Sequence, residues 1–340
     1  MDLFVNGRFK GRRMTGVERY ATESTRALGN RAHLLTPRTK AHGLAGHLWE
    51  QFVLPQRLPH DGLLWSPANS GPLRVERQVV TVHDLAPLEH PAWYRSLFAA
   101  WYRWLIPRLV DRVRAVVAVS EFTRGRLLAL GVPAEKVTVV RPGVSSRFSP
   151  VSEEERRQVR RRYRLPDRFV LSVGTLEPRK NLVLLWRAWR RVSPSFPGVG
   201  MVCVGGRGAA FRGIDAGAIS AGVTLLGEVS DEDLVLLYAA ADVFALVSLY
   251  EGFGLTALEA MACGVPCLVT RAGGIPEAVG DAALLIDPTD EPGIEAGLAR
   301  LLSDEAMRST LRGKGLDRAR SLRWEETADG LWDVFHRVGG

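Results

Sequence analysis

Cysteine is scarce in this chain of 340 residues. Cys203, Cys263 and Cys267 are the whole set, each in an apolar strand or helix context. An odd count without C-x-x-C spacing builds neither a disulfide framework nor a zinc site, and a reducing cytoplasm is the expected setting. A secretion leader is not expected, since the first fifteen residues, MDLFVNGRFKGRRMT, hold no apolar h-region. No long hydrophobic run offers a membrane span; the longest, around Leu234 to Leu249, is interrupted by Asp242. Lysine is rare beside arginine, and the net charge is +8. Such a basic balance suits nucleic acid, an anionic membrane surface or an anionic ligand. No helix-turn-helix, zinc-finger or RRM signature accompanies it, so nucleic acid is not an expected partner.

What is present describes an ordinary globular protein. Hydrophobic residues make up 46% and charged residues 24%, which excludes disorder, and the length suggests two domains. Asp2 to Asn6 reads as a first strand, followed by the basic, glycine-punctuated loop NGRFKGRRMTG. Thr15 is an expected N-cap for a helix to about Leu28, with Glu18 completing a capping box and Gly16 at the mouth. Strands are expected at His33 to Thr36, Gly62 to Ser66 and Gln78 to Val82, and a helix at Trp49 to Leu54 stopped by Pro55. His83-Asp84 closes the third of these strands, where chemistry gathers in parallel sheets; a histidine satisfied by loop backbone is the other reading.

Trp93 to Arg112 reads as one helix with Trp93, Leu97, Trp101, Trp104 and Leu105 on one face. That face is either core or a surface that lies on a membrane. Strands at Ala115 to Val119 and Val137 to Val140 complete the first sheet, with Ser120 capping a helix between them. Pro142 to Pro166, with a mixed-charge helix at Glu153 to Arg164, reads as a connector. Strand–helix alternation then resumes from Phe169 to Ile286. The expected class is α/β: two doubly wound, Rossmann-like domains facing a cleft, spanning 1–150 and 165–320. A last helix within 322–340 carries Trp324, Ala328, Leu331, Trp332 and Phe335 as a stripe that must be buried.

The most informative stretch is Ser248 to Glu259, SLYEGFGLTALE, followed by AMACGVPCLVT. A strand ends at a glycine turn and a helix begins just beyond it, where unpaired N–H groups attract phosphate. Glu251 on the turn and Glu259 two helical turns in are roughly 12 Å apart at about 1.5 Å per residue. Paired glycosidase carboxylates lie at about 5 to 9.5 Å, so that chemistry is excluded. The two acids either hold different parts of one long ligand, or Glu251 caps the helix and Glu259 is a solvated charge. Upstream, Gly174 ends a strand and leads to Arg179-Lys180, a fork and a point charge suited to a diphosphate. Asp231-Glu232-Asp233 has the form of a metal site but opens a helix, where acids favour the dipole.

The E-x7-E pattern in EGFGLTALEAMACGVP, with the R-K-N at Arg179 to Asn181, resembles the donor site of retaining, nucleotide-sugar-dependent glycosyltransferases of the GT-B fold, family 4. The resemblance covers nearly the whole chain. It implies that Gly16, Gly174, Arg179, Lys180, Gly252, Phe253, Gly254 and Leu255 approach the donor. It further implies that Glu251 meets the sugar hydroxyls, Glu259 the ribose, and His83 the transferred sugar. It implies a terminal helix crossing back onto the first domain, no metal or other cofactor, and same-face attack with the departing phosphate as base. TGVERY, WEQ, VHDLAPLEHP and VSEFTR resemble bacterial mannosyltransferases of polysaccharide assembly, so GDP-mannose and a saccharide or lipid-linked acceptor are expected. A UDP-sugar 2-epimerase of the same fold and a non-catalytic nucleotide-sugar binder are the alternatives. One departure is Thr256, where many members carry proline or an apolar residue.

Overall fold

The computed structural model describes residues 2–38, 43–211 and 222–339. Two parallel six-stranded sheets form from short, β-branched runs. The first comprises β1 (Leu3–Asn6), β2 (Ala32–Leu35), β3 (Leu63–Ser66), β4 (Gln78–Val82), β5 (Ala115–Ala118) and β6 (Val137–Val139), in the order β2-β1-β3-β4-β5-β6. The second comprises β7 (Arg168–Val173), β8 (Val199–Val204), β9 (Val223–Gly227), β10 (Val243–Leu246), β11 (Cys267–Thr270) and β12 (Leu284–Ile286), in the order β12-β11-β10-β7-β8-β9. Central strands such as QVVTV in β4 and VFAL in β10 are buried at every position, as helices covering both faces require.

In each sheet the chain first runs outward to one side and then returns to build the other. The order reverses between β1 and β3 in the first sheet and between β7 and β10 in the second. Such reversals open a crevice at the carboxyl ends of the strands, where ligands of open α/β sheets bind.

The chain divides into two compact units. One holds Met1–Pro91, Ser96–Gly143 and Leu322–Gly340; the other holds Ala92–Arg95 and Val144–Ser321. The final helix, Trp324–Gly339, therefore belongs to the first unit, where it packs on the helix Gly16–Leu28. Its stripe is buried at Trp324, Ala328, Leu331 and Phe335, while Trp332 stays half-buried. Trp324 meets Tyr20 at 5.8 Å between ring centroids, and Phe335 meets Trp65 at 5.6 Å.

Four local expectations change. The capping box at Thr15 does not form, because the Thr15 hydroxyl donates to the Glu18 carboxylate instead of accepting from the backbone. Pro55 does not stop its helix. It has no N–H for the carbonyl four residues back and its ring would strike that carbonyl. The chain answers by widening into a π-turn over Trp49–Val53, closed by Leu54 N–H donating to Trp49, and Pro55 falls in the first turn of Leu54–Arg57. The long aromatic helix is shorter, Ser96–Arg112, and the stripe read from the sequence is split. Leu105 is core, but Leu97 is 88% and Trp104 43% exposed. The helix Glu153–Tyr163 is no loose connector: Ser152 and Glu155 form a full capping box, and buried Val159 lies on the side that packs on the helix Asp231–Ala240.

Candidate active site

In the second unit, the crevice between β7 and β10 is occupied by ionised side chains. β7 leads into Gly174 and a short turn of 3-10 helix, Pro178–Lys180, and β10 leads into Ser248 and the glycine turn. The Glu251 carboxylate accepts from Arg179 Nη1 at 2.7 Å, from Lys180 Nζ at 2.6 Å and from Ser248 Oγ at 2.7 Å. Burial alone would raise its pKa, but Arg179, Lys180 and these hydrogen bonds outweigh it and hold the carboxyl at about 2. Glu251 is thus a permanent anion near neutral pH. It can accept hydrogen bonds from hydroxyls but cannot donate a proton.

The fork of Arg179, expected to grip a diphosphate, is engaged by protein groups. Nε and Nη2 donate to the fully buried Glu177 at 2.9 and 2.7 Å, and Nη1 donates also to the Tyr250 carbonyl at 2.9 Å. Thr175 Oγ1 donates to the other oxygen of Glu177. Lys180, by contrast, gives Glu251 one of its three N–H groups, which leaves it the better suited of the two to a phosphate oxygen. Its stem lies over Gly174, where an added Cβ would come within 2.9 Å of Cε. Any larger residue there would displace the ammonium.

The turn Glu251-Gly252-Phe253-Gly254 is held from behind by β11. Gly273 and Gly274 pack so closely that a Cβ on either would lie 2.0 Å from the Glu251 carbonyl oxygen or 2.2 Å from that of Gly252, and Gly274 N–H donates to Glu251 O at 2.9 Å. Gly254 then caps the helix Leu255–Ala262 with no side-chain hydrogen bond. The first N–H groups of a helix have no acceptor within it, so those of Gly254 and Leu255 suit an anion. Glu259 is not a solvated charge: it is 2% exposed and accepts from Tyr238 Oη at 3.0 Å. Asp231 pairs with Arg147 at 2.9 Å, and Asp233 binds Arg162 and, at 2.6 Å, Tyr163 Oη, so both aspartates of this acidic triplet are engaged in structural pairs.

In the first unit, Gly16 is exposed at the start of its helix. His83 lies just past β4 and is nearly buried. Its Nε2–H donates to the Pro67 carbonyl at 2.7 Å, and its backbone N–H donates to Asn69 Oδ1 at 2.5 Å. Burial lowers its pKa to about 4, against smaller raising effects of the Pro67 bond and Glu18. The ring is therefore neutral, with Nδ1 as an acceptor nitrogen. The loop-backbone reading holds for one ring nitrogen, and the other can take a hydrogen bond from a hydroxyl.

Sequence reasoning missed Glu177, Ser248, Tyr250 and the Gly273-Gly274 pair. The glycine dipeptide directly after a strand was the one usable signal, since it marks close backbone approach.

Two doubly wound sheets, with a charged glycine turn at the second reversal, have the architecture of the GT-B fold. HepE of Anabaena, solved with UDP and glucose, shares this fold with a TM-score of 0.77 over 98% of both chains at 19% identity. A model of glycosyl transferases group 1 matches residues 153–317, and one of glycosyltransferase family 4 matches residues 60–148. O-antigen chain mannosyltransferase B of Escherichia coli is 33% identical over 264 residues, covering 75% of this chain and 68% of that protein. Serotype-specific mannosyltransferase WbdA of Escherichia coli is 28% identical over 284 residues, or 80% of this chain but only 34% of WbdA's own length. The chain belongs to family 4 of the glycosyltransferases and is an enzyme of that family.

Proposed function

We propose that this glycosyltransferase moves mannose from GDP-mannose, with retention, to a saccharide or lipid-linked saccharide in cell-surface polysaccharide assembly. The observation that carries this reading is Glu251, ionised and pinned by Arg179, Lys180 and Ser248 at the strand reversal of the second sheet. A fixed anion of this kind selects a ligand rich in hydroxyls, while Lys180 and the helix-start amides suit the phosphates. Glu259 is assigned to the nucleotide ribose. The mannosyltransferase names of the two Escherichia coli relatives favour mannose. UDP-glucose, the donor seen with HepE, is the competitor.

Glu251 at about 2 and His83 at about 4 are both weak bases. The acceptor's proton is therefore assigned to the departing phosphate, which favours attack on the same face of the sugar. Lys180 and the amides of Gly254 and Leu255 supply preorganised positive charge for that phosphate, without a metal. The test is thermal denaturation with GDP-mannose and with UDP-glucose, followed by nucleotide release with and without mannobiose. A rise in melting temperature with GDP-mannose and acceptor-dependent release support the reading. Stabilisation by UDP-glucose alone overturns the donor, and binding without turnover overturns transfer in favour of a sensor.

We assign the protein to the cytoplasm with peripheral contact to an anionic membrane. No helix among the described residues is long and apolar enough to cross one. In the first unit Leu44, Leu48, Phe52, Leu97 and Trp104 are exposed, with Arg74 over the Phe52 ring at 5.5 Å and Arg108 over the Trp104 ring at 5.0 Å. Apolar side chains flanked by arginine suit the boundary of an acidic bilayer. Cosedimentation with phosphatidylglycerol vesicles but not with phosphatidylcholine vesicles supports this assignment; equal recovery in the supernatant from both overturns it.

A further inference from the structure

In the WEQ stretch, Glu50 and Gln51 tie the end of β1 to the turn after β3 by side-chain hydrogen bonds. We propose that Glu50 and Gln51 are positioning residues for His83, acting through the turn 66–73. The proposal rests on the reading that His83 meets the transferred sugar and positions it.

The chain of contacts has two layers. His83 is held by the turn itself, its ring by the Pro67 carbonyl and its backbone by the Asn69 side chain. Asn69 adopts a left-handed conformation, φ 57°, which aims that side chain back at the strand end. The turn is in turn held by the two WEQ residues. Ser70 Oγ donates to Glu50 Oε1 at 2.9 Å. Gln51 Nε2 donates to the Gly71 carbonyl at 2.8 Å, and Gln51 Oε1 accepts from Leu73 N–H at 3.0 Å. His83 therefore binds the first part of the turn, at Pro67 and Asn69, and Glu50 and Gln51 bind the second, at Ser70, Gly71 and Leu73.

Glu50 is anchored strongly enough to serve as the fixed point. Its carboxylate is fully buried, pairs with Arg8 Nε at 3.1 Å and accepts from Asn6 Nδ2 at 2.7 Å. Arg8 Nη2 closes the ring by donating to Ser70 Oγ at 2.7 Å. Asn6 ends β1 and Ser66 ends β3, so the network fills the strand reversal of the first sheet. Arg8, Asn6 and Ser70 all meet Glu50 Oε1, while Oε2 is buried without a hydrogen-bond partner, 3.7 Å from His47 Nδ1. The ion pair still resists displacement, because any movement leaves a desolvated charge unpaired. Structural burial alone would need only the Arg8 pair. The bonds to Ser70, Gly71 and Leu73 do something further: they fix the geometry of the turn that fixes the imidazole.

The test uses the full chain with Gln51→Leu combined with Ser70→Ala, which unfastens the turn and leaves the Arg8–Glu50 pair in place. His83→Ala and the combined variant are its partners. In long-range 1H–15N spectra of the imidazoles, the His83 Nε2–H signal is expected to shift and broaden in the double variant. With GDP-mannose and mannobiose, kcat is expected to fall about tenfold to a hundredfold with the donor KM within about twofold. In the His83→Ala background the same two substitutions should change kcat no further. An unmoved His83 signal, or a raised donor KM with kcat intact, overturns the proposal. Wild-type turnover by His83→Ala overturns the role of His83, and the imidazole spectrum then still reports whether the turn is held from Glu50 and Gln51. Glu50→Gln is the second probe of the same link, expected to move the same signal.

Discussion

The two units solve one problem in two ways. Each sheet leaves a crevice where its strand order reverses, and each fills that crevice with a carboxylate held by arginine. In the first unit Glu50 and Arg8 are sealed, with side chains 1% and 6% exposed. In the second Glu251, Arg179 and Lys180 keep 12%, 12% and 10%. The sealed pair meets protein groups from the end of β1 and from the turn at Ser70, whereas the open one has Lys180 N–H groups and a helix start beside it. An ion pair with no open face can organise only its own fold; one with an open face can exchange part of its hydrogen bonding for a ligand's.

The sharpest way to break this comparison is Glu251→Ala, expected to lower acceptor-dependent nucleotide release by at least about a thousandfold with an unchanged circular dichroism spectrum. Wild-type turnover would remove Glu251 from the site. Next comes Arg8→Ala, which strands a buried carboxylate and should cost about 3–5 kcal/mol in urea denaturation. Replacing both partners, Arg8→Met with Glu50→Leu, should recover most of that stability. Lys180→Met with Glu251→Leu should likewise fold but not transfer. Recovery of both stability and transfer in the second unit would erase the distinction drawn between the two pairs.

Lys180→Ala alone is expected to weaken GDP-mannose binding about tenfold to a hundredfold by titration calorimetry, as loss of a hydrogen bond to a charged group does. The pH response should separate the buried histidine from the buried carboxylates, since, against the effect of burial, Arg8 lowers the Glu50 pKa in the first unit as Arg179 and Lys180 lower that of Glu251 in the second. His83 has its pKa lowered in the folded state, so its contribution is complete above its unfolded value near 6.5 and is lost as pH falls toward about 4. Glu251 contributes above its unfolded value near 4.5 and loses that contribution as pH falls toward about 2. Urea midpoints should therefore decline in two stages, and His83→Phe should reduce the first, to which half-buried His47 also contributes; a single decline below pH 4.5 in the wild type would contradict it. The smallest effect concerns metal: EDTA should leave turnover unchanged, and a strict divalent requirement would return attention to Asp231 and Asp233.

Strands and most helices were legible because parallel strands buried on both faces read as apolar runs, and QVVTV or VFAL permit little else. The donor cluster was legible as a set of residues, since glycine turns and adjacent cations stand close in sequence. Its wiring was not. Arg179 meets Glu251 across 72 positions, and in the first unit Asn6 meets Glu50 across 44 and Arg8 meets Ser70 across 62, pairings that no local periodicity encodes. Thr15 and Glu18 had the composition of a capping box but a different hydrogen-bond direction, which composition does not specify. Pro55 was misread because the rule against proline in a helix assumes constant pitch, and this helix changes its pitch to accommodate it.

That change of pitch makes length, more than chemistry, the critical property of the segment from Gly43 to Arg57. Five residues occupy the wide loop of backbone at Trp49–Val53 where a regular helix would fit four. Shortening it by one would let the segment wind as a regular helix and bring the Pro55 ring back against the carbonyl four residues before it, the clash that the wide turn avoids. Substitutions on its outer surface leave the winding alone; the loss of one codon does not.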